Sequence, residues 1–351
     1  MTEVPKEQVA ALFSELGNPG KITFEKRVVP EPNVHQIIVN IKYTGVCHTD
    51  LHTLRGEWPR NVQVPWIGGH EGAGIVVKVG SAVSEVEVGD AVGIKWINST
   101  CNNCEFCMAS HESNCQSATY TGFTVDGTFQ QYAATSGRYV TKIPKNVSLE
   151  DAAPIMCAGV TVYRALKEAN VRVGEWVVLP GAGGGLGHLA VQYARAMGLR
   201  VLGIDTGDDK EKLVKQLGAE VFIDYIKCKN VVEQVKMFTN GGPHATLVLS
   251  TSSESYNQAI QWSRPRSTLV TVSLPPNAKL NADIFSLTVK SLRIVGSYVG
   301  NRLDAVEALD YVARGLVKPH YKILPFRDLP KVFEQMSEAK VTGRIVLKMD
   351  E

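Results

Sequence analysis

Apolar positions along the chain follow two different rhythms. Up to about residue 155 they come in short β-branched runs, at 36–43, 74–79 and 89–96, each closed by Gly, Pro, Asn or Asp. Such runs predict the strands of a β-rich first domain. Residues 98–127 break the rhythm with polar residues, glycine and four cysteines. A stretch that long without periodicity needs a fastening other than a core. From residue 158 the spacing turns helical, with Val162, Ala165, Leu166 and Ala169 on one face. Strands at 176–179, 200–204, 221–223, 245–249, 268–272 and 292–296 then alternate with helices ending near 197 and covering 210–217, 231–238 and 253–262. Alternation of this kind predicts a parallel sheet covered on both faces. Six strands match a doubly wound dinucleotide-binding fold. A helix at 303–314 and a last strand at 344–347 follow, and this tail is expected to fold back onto the first domain.

The first predicted strand of the parallel sheet runs into Gly181-Ala182-Gly183-Gly184-Gly185-Leu186-Gly187 and then a helix. In register with G-x-G-x-x-G, the triplet is Ala182, Gly184 and Gly187. Glycines let the backbone approach a pyrophosphate, and a helix N-terminus offers free N–H groups. Asp205 ends the next strand, where an acid takes the ribose hydroxyls. It repels a 2′-phosphate, and Asp208 and Asp209 lie nearby, so NAD is expected over NADP. The plain alternative is a glycine-rich turn that holds no ligand.

Cysteines supply the other chemistry. Cys101, Cys104, Cys107 and Cys115 follow C-x2-C-x2-C-x7-C, the spacing of a closed structural zinc site that folds its own loop. A bacterial-type iron–sulfur run has a shorter last gap and a proline after the fourth cysteine, and neither is present. His111, inside the loop, reads as a surface imidazole. A second set is dispersed: Cys47 in Cys47-His48-Thr49-Asp50-Leu51-His52, His70 and Glu71 in Gly69-His70-Glu71-Gly72, and Cys157. Two thiolates and one imidazole suit a catalytic zinc with an open fourth position. Taken singly, Cys157 is as readily a small buried hydrophobe and His70 a core histidine. Their company strengthens the set: Glu71 is either an alternate ligand or a support behind the ligands, and Asp50 an acceptor for the far nitrogen of His70. Cys228 has no such company.

Bulk properties narrow the partners. The 351 residues suggest two domains, and 44% hydrophobic content is ordinary for a globular chain. A net charge of +2 provides no basic field, so neither nucleic acid nor an anionic membrane is an expected partner. No apolar run is long enough to span a bilayer. The start carries acids early and no apolar or Arg-rich leader, which points to the cytoplasm, where clustered cysteines bind metal rather than form disulfides.

Together the Cys47–His52 run, Gly69–Gly72, the four-cysteine loop, Gly184-Gly185-Leu186-Gly187, Gly203-Ile204-Asp205 and residues 296–302 resemble the zinc-containing alcohol dehydrogenases of the medium-chain dehydrogenase/reductase family, in particular the yeast type. The resemblance covers nearly the whole chain. It implies an α/β protein with a β-rich GroES-like catalytic domain in two parts, 1–157 and 299–351, around a Rossmann domain at 158–298, with the structural zinc loop at 98–122. It implies NAD and two zinc ions per chain, one catalytic and one structural, and a homotetramer. By matching position, Cys47, His70 and Cys157 bind the catalytic zinc, with Glu71 exchanging in. Thr49 bonds the alcohol oxygen, His52 ends the proton relay at solvent, and His48 touches the pyrophosphate. Lys210 falls near the adenosine ribose, Arg344 near the phosphates, and Val272, Leu274, Ser297 and Val299 near the nicotinamide half. Leu274 stands where the yeast type has methionine. Trp58 and Trp96 line the pocket and narrow it to small primary alcohols such as ethanol, unless both are ordinary core aromatics. The competing expectations are a zinc dehydrogenase for polyols or secondary alcohols, and a silent NAD-binding protein.

Overall fold

The computed structural model describes residues 4–58, 62–275, 278–338 and 340–350. The first three positions, part of the start expected to carry no leader, lie outside the described residues. Contacts divide the chain into two compact units: residues 1–157, 301–313 and 321–351 form one, and 158–300 with 314–320 form the other. The expected second part of the catalytic domain, 299–351, is therefore itself divided.

In the first unit a three-stranded sheet has Glu7–Glu15 between Lys21–Val28 and Trp66–Ile67. A larger sheet runs in the order Thr141–Lys142, Ala91–Ile94, Glu71–Val79, Gln36–Gly45, Arg344–Lys348 and Tyr321–Pro325, with Tyr132–Ser136 also on Gln36–Gly45. The predicted β-branched runs supply its middle. Their inward side chains, Ile37, Val39, Ile41, Val92 and Ile94, join Phe13, Phe129, Phe326 and Leu347 in one core. The helix Leu329–Ser337 closes it with Leu329, Val332, Phe333 and Met336 at helical spacing.

The second unit carries six parallel strands. Their order across the sheet is Val221–Asp224, Arg200–Asp205, Trp176–Pro180, Ala245–Val248, Thr268–Thr271 and Arg293–Gly296. Counted in chain order this is 3-2-1-4-5-6, the doubly wound arrangement, which opens a crevice where the order reverses beyond Trp176–Pro180. Strand Trp176–Pro180 is buried throughout, as a parallel strand covered on both faces must be.

Candidate active site and metal centres

The helix His48–Arg55 begins on Cys47, whose N–H donates to Asp50 Oδ2 at 2.9 Å. The other oxygen of Asp50, Oδ1, bonds His70 Nδ1 at 2.8 Å. One buried carboxylate thus orients two residues of the dispersed set. His70 and Glu71 sit where the chain enters strand Glu71–Val79, just after Gly69 at φ 90°. A Cβ on Gly45 of the neighbouring strand would stand 1.9 Å from Glu71 Oε2, so only glycine leaves room for that carboxylate. Cys157 lies in a single π turn, Ile155–Gly159, flanked by α-helix on either side. Such turns recur at functional sites.

These elements bring one ligand atom each from Cys47, His70, Glu71 and Cys157 within 4.8 Å of one another. The two sulfurs are 4.0 Å apart; zinc–sulfur bonds of about 2.3 Å at tetrahedral angles need roughly 3.8 Å. Among the described residues, His70 Nε2 and Glu71 Oε2 are buried without hydrogen-bond partners. Buried polar atoms are normally paired, so two orphans beside a thiol pair fit a cation with nitrogen, sulfur and oxygen ligands. The hydrogen bond from Cys157 holds the Cys47 thiol well below its ordinary range and holds Cys157 up. Burial alone would lower His70, but the charge and hydrogen bond of Asp50 outweigh it and hold the ring well above its usual value. Burial pushes Glu71 up to about 7, against the opposing charge of Arg344.

Arg344 is paired inside this cluster. It is buried on strand Arg344–Lys348 and donates to Glu71 Oε1, while its Nε has no partner. Its immediate partner is thus the carboxylate of a candidate ligand. No local signal announces a pair separated by 273 residues.

Thr49 and His52, three residues apart, share a face of His48–Arg55; His48 is exposed. His52 Nδ1 lies 2.5 Å from Glu57 Oε2, a partner sequence reasoning missed. Trp58 and Trp96 meet edge to face with centroids 6.0 Å apart. Phe123 touches both, Tyr120 stacks on Trp96, and the Trp96 ring stands 5.1 Å from that of His70. Phe123 and Tyr120 were also missed. Their only sequence signal is a place just after the fourth loop cysteine.

The four-cysteine loop closes as its spacing predicts. All four sulfurs lie within 4.8 Å of one another. The N–H groups of Asn103 and Cys104 bring Cys101 down to about 6, while burial pushes Cys107 up to about 11. The Thr100 hydroxyl is 3.2 Å from Cys107 Sγ. Glu112 fastens the loop to the return helix Arg302–Ala313 through Arg302 Nε at 2.6 Å.

In the second unit Gly181 turns the chain at φ 86° and the helix Gly187–Ala196 begins. A Cβ on Gly187 would stand 2.0 Å from Gly181 O, so helix and turn pack at a distance only glycine permits. Asp205 Oδ2 accepts the Gly183 N–H at 2.9 Å, and Lys210 Nζ is 3.0 Å from Oδ1. Turn, acid and lysine thus meet at the strand ends, beside Gly184, Gly185 and Leu186. His188 braces the turn, its Nδ1 3.0 Å from Gly184 O. Val272 and Ser297 are buried and Leu274 is exposed. Val299 adopts φ 46°, a strained conformation for a β-branched residue.

Comparison with known proteins agrees with both halves. Residues 33–145 match the alcohol dehydrogenase GroES-like domain, and residues 185–314 match the zinc-binding dehydrogenase domain. An alcohol dehydrogenase of Schizosaccharomyces pombe is 59% identical over 346 residues, 99% of each chain. Alcohol dehydrogenase 1 of Emericella nidulans is 49% identical over 350 residues, again 99% of each. Among solved structures, the alcohol dehydrogenase of Aeropyrum pernix superposes with a TM-score of 0.88 at 30% identity, over 97% of this chain and 99% of that one. Acetophenone reductase from Geotrichum candidum, in complex with NAD, does so at 0.87 and 26%, over 99% and 98%. With a GroES-like unit, a Rossmann unit and full-length identity of this order, the chain belongs to the zinc-containing alcohol dehydrogenases of the medium-chain dehydrogenase/reductase family and is an oxidoreductase.

Proposed function

We propose that the protein interconverts small primary alcohols, ethanol among them, and their aldehydes with NAD, holding one catalytic and one structural zinc per chain. The observation that carries this reading is the convergence of Cys47, His70, Glu71 and Cys157 within 4.8 Å around a buried, unpartnered imidazole nitrogen. Cys47, His70 and Cys157 hold the catalytic metal, with Glu71 as exchanging ligand. Cys101, Cys104, Cys107 and Cys115 hold the structural one. When bound, zinc supplies Lewis acidity to a substrate oxygen and the nicotinamide supplies the hydride acceptor. Thr49 receives the alcohol proton at its hydroxyl, and His52 passes it to water. Imidazole suits that end because its unperturbed pKa is near roughly 6.5. Asp50 keeps His70 turned to the metal, and Arg344 steadies Glu71.

NAD is favoured over NADP because Asp205 holds its carboxylate at the strand end beside Gly183 and Lys210. Gly184, Gly185, Leu186 and Gly187 would hold the pyrophosphate, and Val272, Leu274, Ser297 and Val299 the nicotinamide half. The bulk of Trp58 and Trp96, closed by Phe123, favours short alcohols. Among the described residues no helix is long and apolar enough to cross a membrane, and the enzyme is read as cytoplasmic. A homotetramer is supported by the outer strand Arg293–Gly296 and by exposed Ile284, Phe285 and Val289 on the helix before it.

Steady-state kinetics over an alcohol series, with NAD and NADP side by side and metal content measured on the same sample, tests the reading. Ethanol and NAD are expected to give the highest kcat/KM, with about two zinc per chain. Preference for NADP, or full activity at one zinc per chain, overturns it.

A further inference from the structure

The end of the helix that carries Thr49 and His52 is built in an unusual amount of detail. The helix stops at Gly56, which takes φ 66°. Gly56 N–H donates to Thr53 O at 3.2 Å and Glu57 N–H to His52 O at 3.1 Å, the paired bonds of a Schellman turn. That turn folds the chain back so that the residue after glycine lies over the last turn of helix. The residue is Glu57, and the side chain it meets is His52, with Nδ1 and Oε2 2.5 Å apart. His52 therefore has a carboxylate partner fixed by both backbone and side chain. Its ring is largely covered, with a side-chain exposure of 15%.

We propose that Glu57 is the positioning residue of the proton relay. It holds His52 with hydrogen on Nδ1, which leaves the Nε2 lone pair to take the proton coming from the alcohol. It also stabilises the imidazolium that forms. This rests on the reading of His52 as the solvent-side end of the relay. The proton count is simple: the alcohol proton arrives on Nε2 and leaves from Nε2 to water, while the other hydrogen stays on Nδ1 and donates to Glu57 throughout. A carboxylate that orients a histidine through its far nitrogen is the same device that Asp50 provides for His70. Among the described residues, the other charged and titratable groups recorded against this pair are Arg55, whose Nη1 is 3.7 Å from Glu57 Oε1, and His48, whose ring centroid is 6.3 Å from that of His52. The Trp58 ring stacks on it at 6.3 Å. Of these only Glu57 meets a ring nitrogen of His52.

The sign of the effect follows. A negative partner favours the protonated ring, so its loss makes the imidazolium more acidic and the neutral ring a weaker base. Glu57→Gln keeps the size and the backbone turn but removes the charge. In alcohol oxidation the acid limb of the kcat/KM profile is expected to move to lower pH. The plateau is expected to fall about two- to five-fold. Glu57→Asp restores part of both.

The test records kcat/KM against pH for wild type, Glu57→Gln, Glu57→Asp, His52→Gln and the double variant His52→Gln/Glu57→Gln, with Tm for each. Support is a downward shift in Glu57→Gln that vanishes on the His52→Gln background. If His52→Gln changes the profile but Glu57→Gln superimposes on wild type, Glu57 has no such role while the relay reading stands. A uniform loss at every pH without a shift, or a shift that persists in the double variant, excludes the role of Glu57 in the same way. If His52→Gln itself leaves the profile unchanged, the relay reading falls and this inference falls with it.

Discussion

Asp50 shows how much a single side chain outside the ligand set can decide. Its two oxygens hold the backbone of Cys47 and the ring of His70, so the geometry of the proposed metal site depends on a residue outside the ligand set. Asp50→Asn keeps the shape and removes the charge. Zinc affinity at the catalytic site is expected to fall about 10- to 100-fold, with kcat/KM falling in step. Zinc in the four-cysteine loop should remain, which metal analysis after graded chelation would show. Lys95 offers a second residue-scale prediction, on stability. It is buried, bonded to Tyr139 O and near Thr141, and burial lowers it to about 8. In the unfolded chain a lysine titrates near roughly 10.4. Between those values the unfolded chain binds a proton that the folded one does not, so folding gains as pH rises through the window. Below about 8 the folded protein carries the full cost of a buried charge. Lys95→Met removes that charge. Its stability relative to wild type is therefore expected to be highest below about pH 8 and to decline towards pH 10, by on the order of 3 kcal/mol. Denaturant unfolding at a series of pH values measures the trend; two parallel curves would exclude it.

Whole elements differ in how plainly the sequence announces them, and the reason is where their partners lie. The parallel sheet and its helices were legible because each element buries an apolar face at its own period. Thus Val162, Ala165, Leu166 and Ala169 line the inner face of Val160–Ala169, and Trp176–Pro180 is apolar from end to end. The helix His48–Arg55 was not legible, since the face it buries contains Asp50 and Thr53 as well as Leu51 and Leu54. Its burial serves the site, so polar residues sit where a periodicity argument expects apolar ones. The four-cysteine loop was legible because its spacing is local, whereas the pairing of Arg344 with Glu71 has no trace in either segment. The phosphate cradle lies between these extremes: the glycines were visible, but the close packing that makes one of them obligatory was not. Gly187→Ala places a methyl 2.0 Å from Gly181 O, closer than any real contact. The helix must move off the turn, and NAD affinity is expected to weaken at least about tenfold, with a lower Tm. Fluorescence titration with NADH reads the first effect and calorimetry the second. Unchanged affinity would show that the turn binds through other atoms.

For the molecule as a whole, the end of the chain completes the place where the proposed metal ligands sit. Strand Arg344–Lys348 lies between Gln36–Gly45 and Tyr321–Pro325, so Tyr321–Pro325 joins the sheet through these last residues. The strand also acts at the site directly. Val46 N–H, next to Cys47, donates to Ile345 O at 3.1 Å, and Arg344 pairs with Glu71. A late, buried, non-ligand residue should therefore control metal retention. Leu347 is fully buried in that strand, and Leu347→Ala is expected to cost about 2 to 5 kcal/mol. Because the strand that loosens is the one supporting Cys47 and Glu71, the variant should surrender its catalytic zinc to a chelator faster than wild type. This should hold at temperatures well below its Tm, where the fold as judged by circular dichroism is intact. The comparison that makes the point is Val235→Ala, an equally buried aliphatic residue in the core of the second unit. It should lower stability by a similar mechanism yet leave the rate of zinc release unchanged. If both variants release zinc at the same rate, metal retention follows general stability, and the closing strand has no special hold on the site.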